Sequence, residues 1–342
     1  MKKYLRKIAA FIIYYSGLIN LLGRRKKSAV ILAYHRICEN DWIDKGYIPG
    51  MSVRPKTLEK HLTYLKGHFE VVSLEKLIYQ LEKWENIEDK CVITFDDGWI
   101  DNYLNAYPIL KKYNFPGTIF LVPNFVGSKK YMWFEKVARA IWKEEGERNE
   151  KVPDLSNYPY LRRIGFFEAY CGSQAKTEDK IDAIVRRMKA LNQSEIIEAI
   201  DEISKFFKSR IPSESPDQLF LSWEQIKEMD GDGISFGSHT ASHANLTLER
   251  FEDVQQELAD SKKNIEDKLN KGAKTFCYPY GNYSDEVKEA VKKAGYIGAT
   301  TYDQGFISRG SDPYLMPRFP MHEDICSSVA LFACRVEGVP FF

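Results

Sequence analysis

Cys91-Val-Ile-Thr-Phe-Asp-Asp-Gly98 decides the fold: five strand-type residues, Cys91 to Phe95, run without a polar break into two adjacent carboxylates and a glycine. A continuous apolar run of this length suits a strand buried on both faces, as in a parallel sheet. Upstream, Ala29 to Ala33 (AVILA) is a second such run, ending at Tyr34-His35-Arg36. Between them lie a helix-periodic stretch from Pro55 to Phe69, then Val71-Val72, then Ser73 as N-cap of a helix from Leu74 to Glu85. Downstream, Leu104 to Tyr113 reads as helix and Gly117 to Val122 (GTIFLV) as strand. Strands alternating with helices indicate βαβ units, hence an α/β sheet or barrel.

The alternation then stops. Tyr131 to Glu145, Glu178 to Leu191 and Ser194 to Phe207 are helical patterns with no strand between them, broken by a loop around Pro153 and Pro159. They form an inserted helical lobe over 128–218. The core segments are 28–127 and 219–342, and the Ser- and Pro-rich stretch from Ile211 to Gln218 leads back into the second. Alternation resumes with helix Trp223 to Met229, strand Ile234 to Gly237, helix Phe251 to Leu269, strand Thr275 to Tyr278, helix Asp285 to Ala294 and strand Ile297 to Thr301.

Forty-nine Lys and Arg against 48 Asp and Glu give a net charge of +1 over 342 residues, so no global field gathers nucleic acid. The six cysteines contain no C-x-x-C pair, and Cys91 and Cys277 sit inside apolar strands, which reads as buried free thiols. At the N-terminus (1–27), Lys2, Lys3, Arg6 and Lys7 precede an apolar run from Ile8 to Leu22, closed by Arg24, Arg25, Lys26 and Lys27. The run is shorter than the ~20 residues of a spanning helix and is interrupted by Ser16, Gly17 and Asn20. It reads as a helix lying on an anionic membrane surface, placing the protein peripherally on the cytoplasmic face. The rivals are a helix packed on the protein itself and an uncleaved signal anchor that exports the domain.

In α/β folds, reactive side chains gather at the carboxyl ends of strands. Three polar clusters fall there: Asp96-Asp97-Gly98, His239-Thr-Ala-Ser-His243 after ISFGS, and Tyr278-Pro-Tyr280-Gly281 after TFC. Two histidines at i and i+4 share one face of a helical turn, the spacing that lets both imidazoles reach one metal. HTASH lacks the glutamate of H-E-x-x-H sites, so the base comes from elsewhere. Asp97 can complete a two-His, one-carboxylate set while Asp96 stays off the metal and takes a proton from water. Gly98 removes bulk where backbone and metal approach closely.

Together these segments resemble the polysaccharide deacetylase family, the NodB-type carbohydrate esterases: VITFDDG matches the first motif, SHTASH the second, and CYPYG is a variant of the third. The resemblance covers Ala29 to about Pro320 apart from the lobe. It implies a distorted (β/α) barrel, a divalent metal, usually zinc, and hydrolysis of an N-acetyl, less often O-acetyl, group on a sugar. Carried over by position, Asp96 is the catalytic base, and Asp97, His239 and His243 are the metal ligands. Tyr280 resembles the residue whose backbone N–H helps form the oxyanion hole, and Arg318 the arginine that orients the base. The general acid is His322 if the family's late motif applies. It is His35 if the early Y-H motif of exopolysaccharide-biosynthesis deacetylases does, and the AVILA-Tyr34-His35 order favours the latter. The third motif has Cys277-Tyr278 where many members carry an arginine, and 141 residues separate Asp97 from His239, more than the family core requires. The substrate expected is an N-acetylated polysaccharide or lipid-linked sugar. The alternatives are an amidase or imide hydrolase for a small molecule, and a non-catalytic sugar-binding module.

Overall fold

A computed structural model describes residues 2–23, 27–39, 50–143, 155–172 and 175–342. Arg24, Arg25 and Lys26 of the N-terminal basic stretch, Glu145 at the expected helix end and Pro153 lie outside the described residues.

The apolar runs form a parallel sheet. In chain order its strands are β1 (Val30–Tyr34), β4 (Glu70–Val71), β5 (Lys90–Phe95), β6 (Gly117–Leu121), β7 (Ile234–Ser238), β8 (Thr275–Cys277), β9 (Gly298–Thr300) and β10 (Phe319–Pro320). The spatial order is β10-β1-β5-β6-β7-β8-β9, with β4 against β5. A two-stranded parallel pair, β2 (Arg36–Ile37) and β3 (Ser52–Val53), lies apart from it.

Strand side chains alternate between two buried faces, which is why these sequences read as unbroken apolar runs. Val30, Leu32 and Tyr34 join Cys91, Ile93 and Phe95 in one apolar cluster. Ile31, Val92, Phe120 and Cys277 meet on the other face. Thr94 and Asp96 follow Val92 on that second face by the same period of two.

The barrel is distorted because one short segment closes it. Met316 bridges Thr300 of β9, and three residues later Phe319 and Pro320 pair with Leu32 and Ala33 of β1. Arg318 lies between these two attachments, fully buried.

Between the two core segments run the helices Trp133–Lys143, Thr177–Met188 and Gln193–Phe206. Asn192 and Glu195 make a reciprocal capping box at the start of the last. The apolar cluster of these helices also takes in Trp99, Val122 and Phe220 of the core, so the lobe is packed onto the segment that follows Asp97.

The N-terminal run is two helices, Lys2–Tyr15 and Ile19–Leu22, separated at Gly17, whose φ of +78° a helix does not accommodate. Ala10 is buried, and Ile13 and Tyr14 pack on the core cluster that includes residues of helix Val329–Val336. The opposite face exposes Tyr4, Leu5, Ile8, Phe11, Ile12 and Tyr15. Among the described residues no helix is long and apolar enough to cross a membrane.

Candidate active site

Asp96 and Asp97 leave β5 at the mouth of the barrel, and the backbone turns left-handed at Asp97 (φ +74°) and Gly98 (φ +73°). A Cβ at Gly98 would sit 2.8 Å from Leu121 Cδ2. Gly98 thus suits the left-handed turn, and a Cβ there would press on the end of the Leu121 side chain.

The HTASH segment corrects the expectation of a helical turn. Residues 239–245 are a loop with left-handed backbone at Thr240 (φ +64°) and His243 (φ +66°), conformations that interrupt any helix. Hydrogen bonds hold the loop in this form: Ala244 N–H to Thr240 Oγ1, Asn124 N–H to Ala241 O, and Ser242 N–H and O–H to Glu257. The two imidazoles still converge, with ring centroids 4.9 Å apart.

His239 Nδ1 lies 2.7 Å from Cys277 O, a group that can only accept, so Nδ1 carries the hydrogen and the Nε2 lone pair faces the pocket. His243 Nδ1 lies 3.0 Å from Tyr280 Oη, which also accepts from Trp133 Nε1 at 2.8 Å. Asp97 Oδ2 accepts from Trp99 Nε1 at 2.9 Å. Its other oxygen, Oδ1, is buried without a hydrogen-bond partner and lies 3.7 Å from His239 Nε2 and 3.4 Å from His243 Nε2. Two ligands about 2.1 Å from one tetrahedral centre are about 3.4 Å apart, so this donor set fits a divalent cation such as zinc. Burial raises the Asp97 carboxyl to about 6, opposed by His239 and reinforced by the neighbouring Asp96 charge. A cation among these three residues would supply the missing counter-charge.

Asp96 is treated differently. Burial alone would raise its pKa, but the Arg318 guanidinium grips both oxygens, Nη1 to Oδ1 at 2.7 Å and Nη2 to Oδ2 at 2.8 Å, and holds the carboxyl well below its usual range. Arg318 is itself fixed by Thr301 O and Thr94 Oγ1. Cys277, with Sγ 3.1 Å from Arg318 Nη2 and 3.8 Å from Asp96 Oδ2, also lies near His239. A metal set of Asp96, His239 and Cys277 is disfavoured because Asp96 is already doubly bonded to Arg318 and burial keeps the Cys277 thiol protonated.

His35 lines the pocket, with Nε2 3.8 Å from Asp96 Oδ2. Its segment is anchored from below: Asp101 accepts from Arg36 Nε and from the Ile37 amide, both at 2.7 Å, and Asn102 donates to His35 O. Burial lowers His35 to about 4 against the attraction of Asp96, so the ring is neutral at pH 7. His322 does not line the pocket; its Nδ1 faces Asp324 Oδ2 at 4.0 Å. Tyr34 turns away to His61, and Tyr280 stands at the pocket in left-handed conformation (φ +60°).

The pocket thus brings together Asp96, Asp97, His239, His243, Tyr280, Arg318 and His35 around a cavity of about 230 Å³. Part of its wall, through Phe134, Val185 and Lys189, comes from the inserted lobe. Sequence reasoning missed Trp99, Trp133 and Lys189, and read Cys277 only as a buried thiol and a departure in the third motif. Trp99 stands one residue beyond DDG and could have been weighed; the others are brought in by packing across the lobe and the sheet.

A strand-end carboxylate pair, a convergent histidine pair and a buried arginine on a parallel barrel define a hydrolase site of the deacetylase type, and the chain belongs to the polysaccharide deacetylase family, whose model it matches over residues 84–155 and 173–299. It is an enzyme, a hydrolase of amide bonds. It is 24% identical over 311 residues to the putative polysaccharide deacetylase YxkH of Bacillus subtilis strain 168, covering 90% of this chain and 76% of the relative. It is 22% identical over 312 residues to the poly-beta-1,6-N-acetyl-D-glucosamine N-deacetylase of Staphylococcus aureus strain N315, covering 89% and 82%. The fold is shared with the Streptococcus pyogenes deacetylase PplD in complex with acetate (TM-score 0.59, 19% identity, 90% of this chain and 98% of that one). IcaB from Ammonifex degensii matches equally (TM-score 0.59, 17% identity, 90% and 98%). His35 and Arg318 lie outside the segments that the family model matches.

Proposed function

We propose that this enzyme removes N-acetyl groups from a surface polysaccharide or its lipid-linked precursor, with a zinc ion held by Asp97, His239 and His243. The observation that carries this reading is the division of labour between adjacent carboxylates: Asp97 Oδ1 faces two imidazole nitrogens, while Asp96 is ion-paired to Arg318 and remains ionised. When bound, the cation supplies Lewis-acid activation of water and of the amide carbonyl.

The side chains then have distinct tasks. Asp96 takes the proton of the attacking water, and Arg318 fixes both of its oxygens in the orientation required. The backbone N–H of Tyr280 stabilises the developing oxyanion. His35, neutral at rest and 3.8 Å from Asp96, receives the proton and delivers it to the amine nitrogen as the C–N bond breaks. The products are acetate and a free amino sugar. Acetate release from a panel of N-acetylated glycans and lipid-linked sugars tests the reading. Hydrolysis confined to small amides or imides would replace it with the small-molecule alternative.

A membrane-surface location is part of this proposal. The apolar stripe from Tyr4 to Tyr15 faces away from the protein, and the sequence flanks it with lysine and arginine on both sides. One face of the helix is packed on the protein, so the stripe is presented by a folded surface.

A further inference from the structure

The charged groups at the pocket are almost all matched. Asp96 is paired with Arg318, Asp97 faces His239 and His243, and on the lobe Arg186 is paired with Asp182. Lys189 is the exception. It lines the pocket from the end of helix Thr177–Met188, is half-buried, and among the described residues has no carboxylate within 4.0 Å of its ammonium. Its Nζ stands 5.0 Å above the centre of the Tyr280 ring, whose hydroxyl meets His243.

The position of Lys189 is tied to the metal-side loop rather than to a free lobe. Asn245 Nδ2 donates to Lys189 O at 3.3 Å, and Gln193 Nε2 donates to Ser242 O at 3.2 Å. These bonds join the corner between two lobe helices to the loop carrying His239 and His243. Half-burying an ammonium without a partner is costly, and burial accordingly lowers the Lys189 pKa. An arrangement that holds such a group in place beside a reacting centre is one that a ligand completes.

We propose that Lys189, with the Tyr280 ring beneath it, forms a subsite for an anionic group, phosphate or carboxylate, carried next to the acetamido sugar that is hydrolysed. A phosphate would come from a sugar still joined to a phosphorylated carrier, a carboxylate from a uronic acid neighbour in an acidic polysaccharide. The inference rests on the deacetylase reading and makes the inserted lobe a determinant of substrate choice. An ammonium can form charge-assisted hydrogen bonds to either group, whereas a neutral N-acetylhexosamine polymer leaves it unmatched.

The test compares kcat/KM for acetate release by the zinc-loaded full-length enzyme on three probes: N-acetylglucosamine 1-phosphate, an alternating N-acetylglucosamine–glucuronate tetrasaccharide, and a neutral β-linked N-acetylglucosamine tetramer. The wild type is expected to prefer one charged probe over the neutral one by about tenfold or more. The preferred probe identifies the source of the anion. In Lys189→Gln this ratio should fall about tenfold, mainly through KM, and in Lys189→Arg it should largely persist. A wild-type ratio near one, or a ratio unchanged in Lys189→Gln, overturns the subsite. Acetate from the neutral tetramer alone refutes the subsite and leaves the deacetylase standing; no acetate from any probe removes both.

Discussion

Trp99 donates its indole N–H to Asp97 Oδ2 at 2.9 Å, and this bond leaves Oδ1 to face His239 and His243. The indole is clamped, with the Arg36 guanidinium 4.4 Å from the centre of one ring and Phe220 stacked at 4.5 Å. Hydrogen bonds of this kind set the orientation of metal ligands. Trp99→Phe removes the donor while keeping an aromatic ring, smaller than the indole, against Arg36 and Phe220. Zinc affinity, measured by competition with a chelator, should fall about 10- to 100-fold with the folded structure retained. Unchanged affinity would show that Asp97 is oriented without Trp99.

The two candidate acids are separated by position: His35 faces Asp96, whereas His322 lies outside the pocket lining. His35→Ala should lower kcat about 10²-fold with zinc content unchanged, and His322→Ala should remain near wild type. Because burial keeps His35 neutral, any limb of the pH–rate profile near neutrality belongs to another group and should survive in His35→Ala. The reverse outcome for the two variants would assign the acid to the late motif.

His61 provides a pH dependence of stability remote from the reacting groups. Its Nε2 lies 2.7 Å from Cys326 O and so donates, which leaves Nδ1 to accept from Tyr34 O–H at 3.0 Å. Burial lowers its pKa from 6.5 to about 4. Between those values the unfolded chain binds a proton that the folded one refuses. The contribution is therefore complete above pH 6.5 and is lost as pH falls towards 4, by on the order of 3 kcal/mol at most. Urea unfolding at pH 7 and pH 4.5 should show a larger loss in wild type than in His61→Gln. Equal losses would mean that His61 is not held neutral by the fold.

The outward stripe of the first helix predicts association with anionic vesicles. Wild type should co-sediment with phosphatidylserine-containing vesicles, less so at high salt, and the double variant Ile8→Asp, Phe11→Asp should stay in solution. Both side chains are about half exposed, 49% and 59%, so the change leaves the packed face of Ala10, Ile13 and Tyr14 intact. A wild type that stays in solution with and without vesicles contradicts the surface assignment.

How much of this was legible in the sequence depends on how local each feature is. AVILA, CVITF and GTIFLV announce β1, β5 and β6 because strands buried on both faces are nearly all apolar, and Asp96 and Asp97 follow at the strand end. Ser73 caps its helix as read, accepting from Lys76 N–H. Cys91, Cys277, Cys326 and Cys334 are buried, whereas Cys38 is half-buried and Cys171 exposed, a difference that depends on packing and not on the local sequence. The shape of the HTASH loop was not legible, since the left-handed turns at Thr240 and His243 are held by Glu257 and Asn124, far away in the chain. Nor was the closure of the barrel by Met316 to Pro320, a segment too short to show a period. The helix Val329–Val336, against which the N-terminal helix packs, also went unread, so the packed alternative for the first helix had no visible partner. The part the lobe plays in the pocket wall depends on tertiary contacts alone.

On the proposed mechanism the adjacent carboxylates divide their work, Asp97 holding the cation and Asp96, clamped by Arg318, taking the proton. Zinc content and acetate release measured together on Asp96→Asn and Asp97→Ala test it most directly. Asp96→Asn should keep about one zinc per chain and lose turnover, while Asp97→Ala should lose both. Loss of zinc from Asp96→Asn to the same extent as from Asp97→Ala would contradict the division.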